Sequence, residues 1–346
     1  MTSMRTSILV TGTGSGGVGE GVVKGLKMNQ QKYRIIAADM NPMSATLLRV
    51  DKGYVLPEAE DRNYLRTLLN VCEKEKIAAI IPGSVPELKR LSEARSVFAK
   101  KGISLIIGSK KVIDICIDKW QSYNFLSKFG FSHPKTVLGE EHQIAANKLG
   151  FPLFVKPREG YGSRHIYMAH DEEELLIIAK YLDKIGVKFI IQEYVKAQEC
   201  TIGVVVSKSY RVMGSISVLR EVRSGFSYRM VVKDIKEARD ISERIALKLG
   251  VTGPLNVQLF ITDEGPVIFE MNPRFSGTTP IRSAVGFNEV DGVLRNFLYG
   301  EEIQLSFRPN ITAIRYLDEV YAYSSTLDEL QREGCTEKKG WRKNYF

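Results

Sequence analysis

The chain has 346 residues, 44% hydrophobic and 26% charged, with a formal net charge of +9. This is an ordinary globular mixture, and the length implies about two or three structural units rather than one core. No apolar run approaches the roughly 20 residues that span a bilayer, and Met1 to Val10 lacks the length and cleavage pattern of a signal peptide, so a cytoplasmic protein with no membrane partner is expected.

Residues 7 to 112 alternate short β-branched runs with amphipathic stretches. Strands are expected at Ser7–Val10, Arg34–Ala38, Tyr54–Leu56, Ala78–Ile81 and Ser104–Ile107. Tyr64, Leu65, Leu68, Leu69 and Cys72 have helical spacing, as do Leu88, Leu91, Val97 and Phe98 before Gly102. Such alternation implies an α/β fold with a mostly parallel sheet. Further on, strands are expected at Phe151–Lys156, Arg164–Met168, Ile190–Val195, Thr201–Val206, Val212–Arg220 and Tyr228–Val232. Asp171 and Asp234 are read as caps of two helices, the second ended by Gly250. A hairpin follows, Leu255–Ile261 and Val267–Glu270, joined through Asp263-Glu264-Gly265.

Outside the tail Lys338-Lys339-Gly-Trp-Arg-Lys343, basic residues are spread along the chain. There is no zinc-finger spacing, aromatic RNA-binding motif or helix-turn-helix. A site for anionic small molecules therefore explains the charge more simply than nucleic acid does. The basic end of the chain reads as a flexible tail, with a partner contact as the alternative. Cys72, Cys116, Cys200 and Cys335 spell no metal or redox motif and read as packing residues.

Gly14, Gly16 and Gly19 match G-x-G-x-x-G after the first strand, and Asp39 follows at the end of the second. One reading is an NAD(P)-dependent oxidoreductase. The rest of the chain carries no dehydrogenase constellation, so a tight turn or a substrate-anion role for the glycines weighs more.

The strongest local signal is Asn256-Val-Gln258, then Glu270-Met-Asn272-Pro-Arg274. Glu270 and Asn272 are two apart in a strand, so their side chains share a face. A loop from Thr262 to Pro266 would put Gln258 opposite Glu270. Three oxygen ligands then converge, as hard Mg²⁺ requires, with phosphate and water completing its shell. Arg274 adds a fixed cation suited to a transferring phosphoryl group.

These residues, with Ser283-Ala284-Val285-Gly286-Phe287, closely resemble the metal segment of carbamoyl phosphate synthetase large chains, members of the ATP-grasp superfamily. The resemblance covers roughly residues 7 to 300 and implies a Rossmann-like pre-ATP-grasp domain (1–112), a small lid subdomain (113–190), a core subdomain with the metal site (191–305) and a C-terminal extension (306–346). It implies ATP and Mg²⁺ (or Mn²⁺) as cofactors. Lys119 and Lys156 resemble the two phosphate-binding cations, and Gly160-Tyr161-Gly162-Ser163 the loop that closes over the phosphates. Gln192-Glu193-Tyr194-Val195 resembles the adenine-binding hinge, and Glu199 the ribose-binding carboxylate. Gln258, Glu270 and Asn272 become the metal ligands; Arg274, Lys156 and Arg229 the catalytic set, with Arg229 on the acceptor carboxylate.

Where the resemblance expects a second arginine after Asn-Pro-Arg, this chain has Gly277, which leaves room for a larger carboxylate. In such proteins the first sheet encloses the non-nucleotide substrate, so Gly14 to Gly17, Asp39 and Glu87 are substrate-side candidates. The implied activity is ATP-dependent joining of a small carboxylate to an amine or ammonia through an acyl phosphate, in a homodimer. A non-catalytic ATP-binding regulator is the other alternative.

Overall fold

The structure, a computed structural model, describes residues 5–29, 33–160, 162, 164–223 and 225–343. The first five β-branched runs form a parallel sheet, in which both strand faces must be covered. They are β1 (Ser7–Thr11), β2 (Arg34–Asp39), β3 (Lys52–Val55), β4 (Ile77–Pro82) and β5 (Ser104–Leu105), adjacent in the order β3-β2-β1-β4-β5. Successive residues of β1 feed two separate cores. Ile8 and Val10 pack with Val22 and Leu26, whereas Leu9 packs with Tyr64, Leu68 and Leu88. The helical pattern at 88–98 is divided at Ala94 into Val85–Glu93 and Arg95–Lys100.

A small antiparallel sheet follows, β6 (Thr136–Leu138), β7 (Leu153–Pro157), β8 (Tyr167–Ala169) and β9 (Phe189–Glu193), ordered β6-β9-β7-β8. The helix Glu172–Lys184 covers it, and Asp171 caps that helix by accepting from the Glu174 N–H at 2.8 Å. The strand expected at Arg164 begins only at Tyr167, because His165 has φ 56°, outside the strand region.

The largest antiparallel region is β10 (Gln198–Val206), β11 (Val212–Arg223), β12 (Phe226–Val232), β13 (Gly253–Thr262) and β14 (Gly265–Asn272), ordered β14-β13-β10-β11-β12. The helix Lys236–Leu249 buries Ala238, Ile245, Ala246 and Leu249 and ends at Gly250 with φ 73°. Asp234 does not cap it. Ile235 holds the N-cap position, and the Asp234 carboxylate instead accepts from Arg239 Nε at 2.9 Å.

The last segment is no loose tail. β15 (Ile311–Ile314) joins the edge of β12, and β16 (Cys335–Thr336) pairs antiparallel with β3. Cys72, Cys116 and Cys200 are buried, as packing residues should be. Among the described residues no helix is long and apolar enough to cross a membrane.

Candidate active site

The site starts from the β13–β14 hairpin. Its turn is tighter than expected, with Thr262 opposite Gly265. That register alone would set Gln258 against Phe269. A bulge inserts Phe269 as an extra residue, so Gln258 faces Glu270 and Asn256 faces Asn272. The bulged Phe269 has a use: its carbonyl accepts from Lys156 Nζ at 3.3 Å, and the ammonium lies 5.8 Å from its ring.

Lys156, on β7, is 4% exposed. Burial, with Lys119 nearby, pushes its ammonium down to a pKa of about 8 against the opposing field of Glu270. Glu270 moves the other way. Burial would raise its carboxyl, but Lys119, Lys156 and Arg274 together outweigh burial and hold it below the usual carboxylate range. Arg274 follows β14 and is lowered by burial, partly offset by Glu270. Glu270 thus feels the charges of Lys119, Lys156 and Arg274, and all four side chains line a single cavity.

Lys119 begins the helix Lys119–Lys128, which Asp118 caps by accepting from the Trp120 N–H at 2.9 Å. Asp118 also accepts from Arg158 Nε at 3.2 Å, and the Lys119 N–H donates to the Arg158 carbonyl. These contacts pin the glycine segment after β7 to the start of that helix. Lys119 Nζ in turn lies 3.4 Å from the Gly160 carbonyl.

The cavity has a volume of about 520 Å³. Gly160 and Gly162 line it; Tyr161 and Ser163 lie outside the described residues. The hinge segment lines it too, from Gln192 through Glu193 and Tyr194 to Val195. Gln192 is fixed by donating to Thr136 Oγ1 at 2.8 Å, and Glu193 by accepting from the Lys135 N–H at 2.8 Å.

Gln258 and Glu199 both face the cavity, but Arg220 on β11 occupies them. Its guanidinium donates to the Gln258 side-chain oxygen and to the Glu199 carboxylate. The oxygen expected on a metal is therefore held by a cation, which leaves Glu270 and Asn272 as the free donors of the expected set. Arg229 also departs from expectation. It is exposed on β12 and does not line the cavity, which Arg220 and Arg315 reach instead.

From the opposite side, Gly16, Gly17 and Val18 line the same cavity. Asp39 and Glu87 do not. Glu87 is committed to the capping box with Ser84 and to the Tyr64 hydroxyl at 2.9 Å, and Asp39 to the Asn41 N–H.

Does this lining suit a magnesium-bound polyphosphate? Six basic side chains, Lys119, Lys156, Arg164, Arg220, Arg274 and Arg315, face three carboxylates, Glu193, Glu199 and Glu270. Asn272 Nδ2 and Arg274 Nε are buried without a hydrogen-bond partner, an arrangement that normally requires explanation. Among the described residues no three His, Cys, Asp or Glu side chains gather as a metal cluster. One carboxylate and one amide therefore fit a hard cation whose remaining ligands come from phosphate and water.

The charged cleft lies between the small antiparallel sheet and the larger one. A sequence profile of the ATP-grasp domain matches residues 116–278, and one of a PylC-like N-terminal domain matches residues 8–106; the chain thus combines an ATP-grasp domain with a PylC-like N-terminal domain. It is 27% identical to a carbamoyl phosphate synthase large chain of Clostridium botulinum, over 89% of this chain and 30% of that one. It is 25% identical to the arginine-specific large chain of Bacillus subtilis, over 80% of this chain and 28% of that one. The chain thus spans less than a third of the length of these relatives. In fold it is similar to N5-carboxyaminoimidazole ribonucleotide synthetase from Thermus thermophilus (TM-score 0.70, 19% identity, 93% of this chain and 86% of that one). It is also similar to biotin carboxylase from Campylobacter jejuni in its βγ-ATP complex (TM-score 0.70, 16% identity, 89% and 75%).

Proposed function

We propose that this protein is an ATP-dependent carboxylate–amine ligase working through an acyl phosphate. The observation that carries the reading is the grouping of Lys156, Glu270, Asn272 and Arg274 in one cavity, with two of their buried polar atoms unpartnered. Lys119 and Lys156 bind the phosphates of ATP. The hinge from Gln192 to Val195 receives the base. Mg²⁺, on Glu270 and Asn272, supplies charge neutralisation for the phosphates when bound. Arg274 stabilises the γ-phosphoryl group as a carboxylate oxygen bonds to phosphorus and the bond to ADP breaks. An amine nitrogen then attacks the acyl carbon, the bond to phosphate breaks, and the amine gives up a proton. Gly160, whose carbonyl meets Lys119, and Gly162 shield that intermediate from water.

The test supplies ATP, Mg²⁺ and hydroxylamine in place of the unidentified amine. A panel of carboxylic acids, from bicarbonate to amino and dicarboxylic acids, is screened for ADP release and hydroxamate formation. A carboxylate that drives both supports the ligase. ADP release that no carboxylate stimulates sinks it.

A further inference from the structure

Arg315 lies outside both matched profiles, yet it reaches the cavity. It follows β15, and its N–H donates to the Tyr228 carbonyl at 2.8 Å, extending the pairing with β12. Its guanidinium donates to the Gly277 carbonyl at 2.7 Å. Among the described residues it makes no ion pair. Glu20, the carboxylate whose field reaches it, already binds Lys24 and the Gly16 N–H. A half-buried guanidinium held by one carbonyl retains donors for an anion from outside the chain, and its planar fork suits a carboxylate.

The wall around it is unusually bare. Gly16, Gly17 and Gly277 carry no side chains. A Cβ at Gly16 would come within 3.0 Å of the Phe226 ring, whereas one at Gly277 would meet nothing nearer than the Gly16 carbonyl at 3.9 Å. The open space lies beside Gly277, where Arg315 is anchored, three residues from Arg274.

We infer that Arg315 is the specificity-determining cation for the non-nucleotide substrate, holding the carboxylate of an organic acid larger than bicarbonate against the Gly16–Gly17 and Phe226 wall. The inference rests on the ligase reading and adds the substrate class. The experiment compares wild type with Arg315→Met and Arg315→Lys on the carboxylate that gives most hydroxamate. Arg315→Met is expected to raise KM for that carboxylate by about tenfold or more, the worth of a charge-assisted pair, with KM for ATP unchanged. Arg315→Lys should recover part of the loss. Unchanged carboxylate KM, or parallel loss for ATP and carboxylate, overturns the inference. If wild type turns over no carboxylate, the ligase reading fails separately. The same acids are then titrated against protein saturated with MgADP, read as melting temperature. A shift in wild type that Arg315→Met abolishes upholds the site, and equal or absent shifts overturn it.

Discussion

Lys156 offers the sharpest test of the electrostatics. Its ammonium has an ordinary value of 10.5 in the unfolded chain and about 8 in the folded protein. Between those two values the unfolded chain binds more protons, so stability rises with pH through that window. Below pH 8 the buried charge is carried at a cost. Each tenfold change in proton affinity is worth about 1.4 kcal/mol, so the shift amounts to roughly 3 kcal/mol of destabilisation at neutral pH. Lys156→Met fills a similar volume without the charge, and Glu270 keeps Lys119 and Arg274 as partners. Urea unfolding at pH 7 should therefore show the variant more stable by about 2–3 kcal/mol, the gain shrinking toward pH 10. Nucleotide binding should run the other way. In wild type, MgADP affinity should fall up to about tenfold per pH unit above pH 8 as the free ammonium loses its proton. In Lys156→Met the affinity should be weak and flat. A variant less stable than wild type at pH 7, or wild-type affinity flat from pH 7 to 9.5, would refute the assignment.

Glu270→Gln should abolish carboxylate-dependent ADP release and make ADP binding by calorimetry indifferent to Mg²⁺. Because neighbouring cations hold this carboxyl below the usual range, wild-type Mg²⁺ affinity should show no Glu270 titration between pH 5 and 8. Arg282 is fully buried, paired with Glu289 at 3.1 Å and donating to Asn256 Oδ1 at 2.6 Å. Arg282→Met should cost about 3–5 kcal/mol in urea unfolding by stranding the carboxylate, and Glu289→Gln added to it should recover part. At Gly19 a Cβ would sit 2.4 Å from the Gly12 carbonyl oxygen, so Gly19→Ala should lose at least about 2 kcal/mol in the same assay.

Much of this architecture could be read locally. The period-two spacing of Glu270 and Asn272, the apolar strand carrying Lys156, and the strand–helix alternation before residue 112 each state a geometry in the sequence itself. Other features could not be read that way. Two departures from expectation, the tight Asp263-Glu264 turn and the Phe269 bulge, cancelled, so Gln258 met Glu270 for a reason invisible in spacing. Arg229 was the natural carboxylate clamp by position. The structure leaves it exposed, while Arg220 faces inward and engages Gln258 and Glu199. Arg315 had no local signal at all. It meets the cavity only because β15 pairs with β12, a contact between segments far apart in the chain. Asp234 showed a cap pattern that a side-chain ion pair with Arg239 claimed instead.

The closing segments have a consequence for handling the protein. β15 and β16 each protect the border of a different sheet, so clipping the chain ahead of Ile311 would bare β12 and β3 together. Exposed borders of that sort recruit other strands, and the shortened product should self-associate.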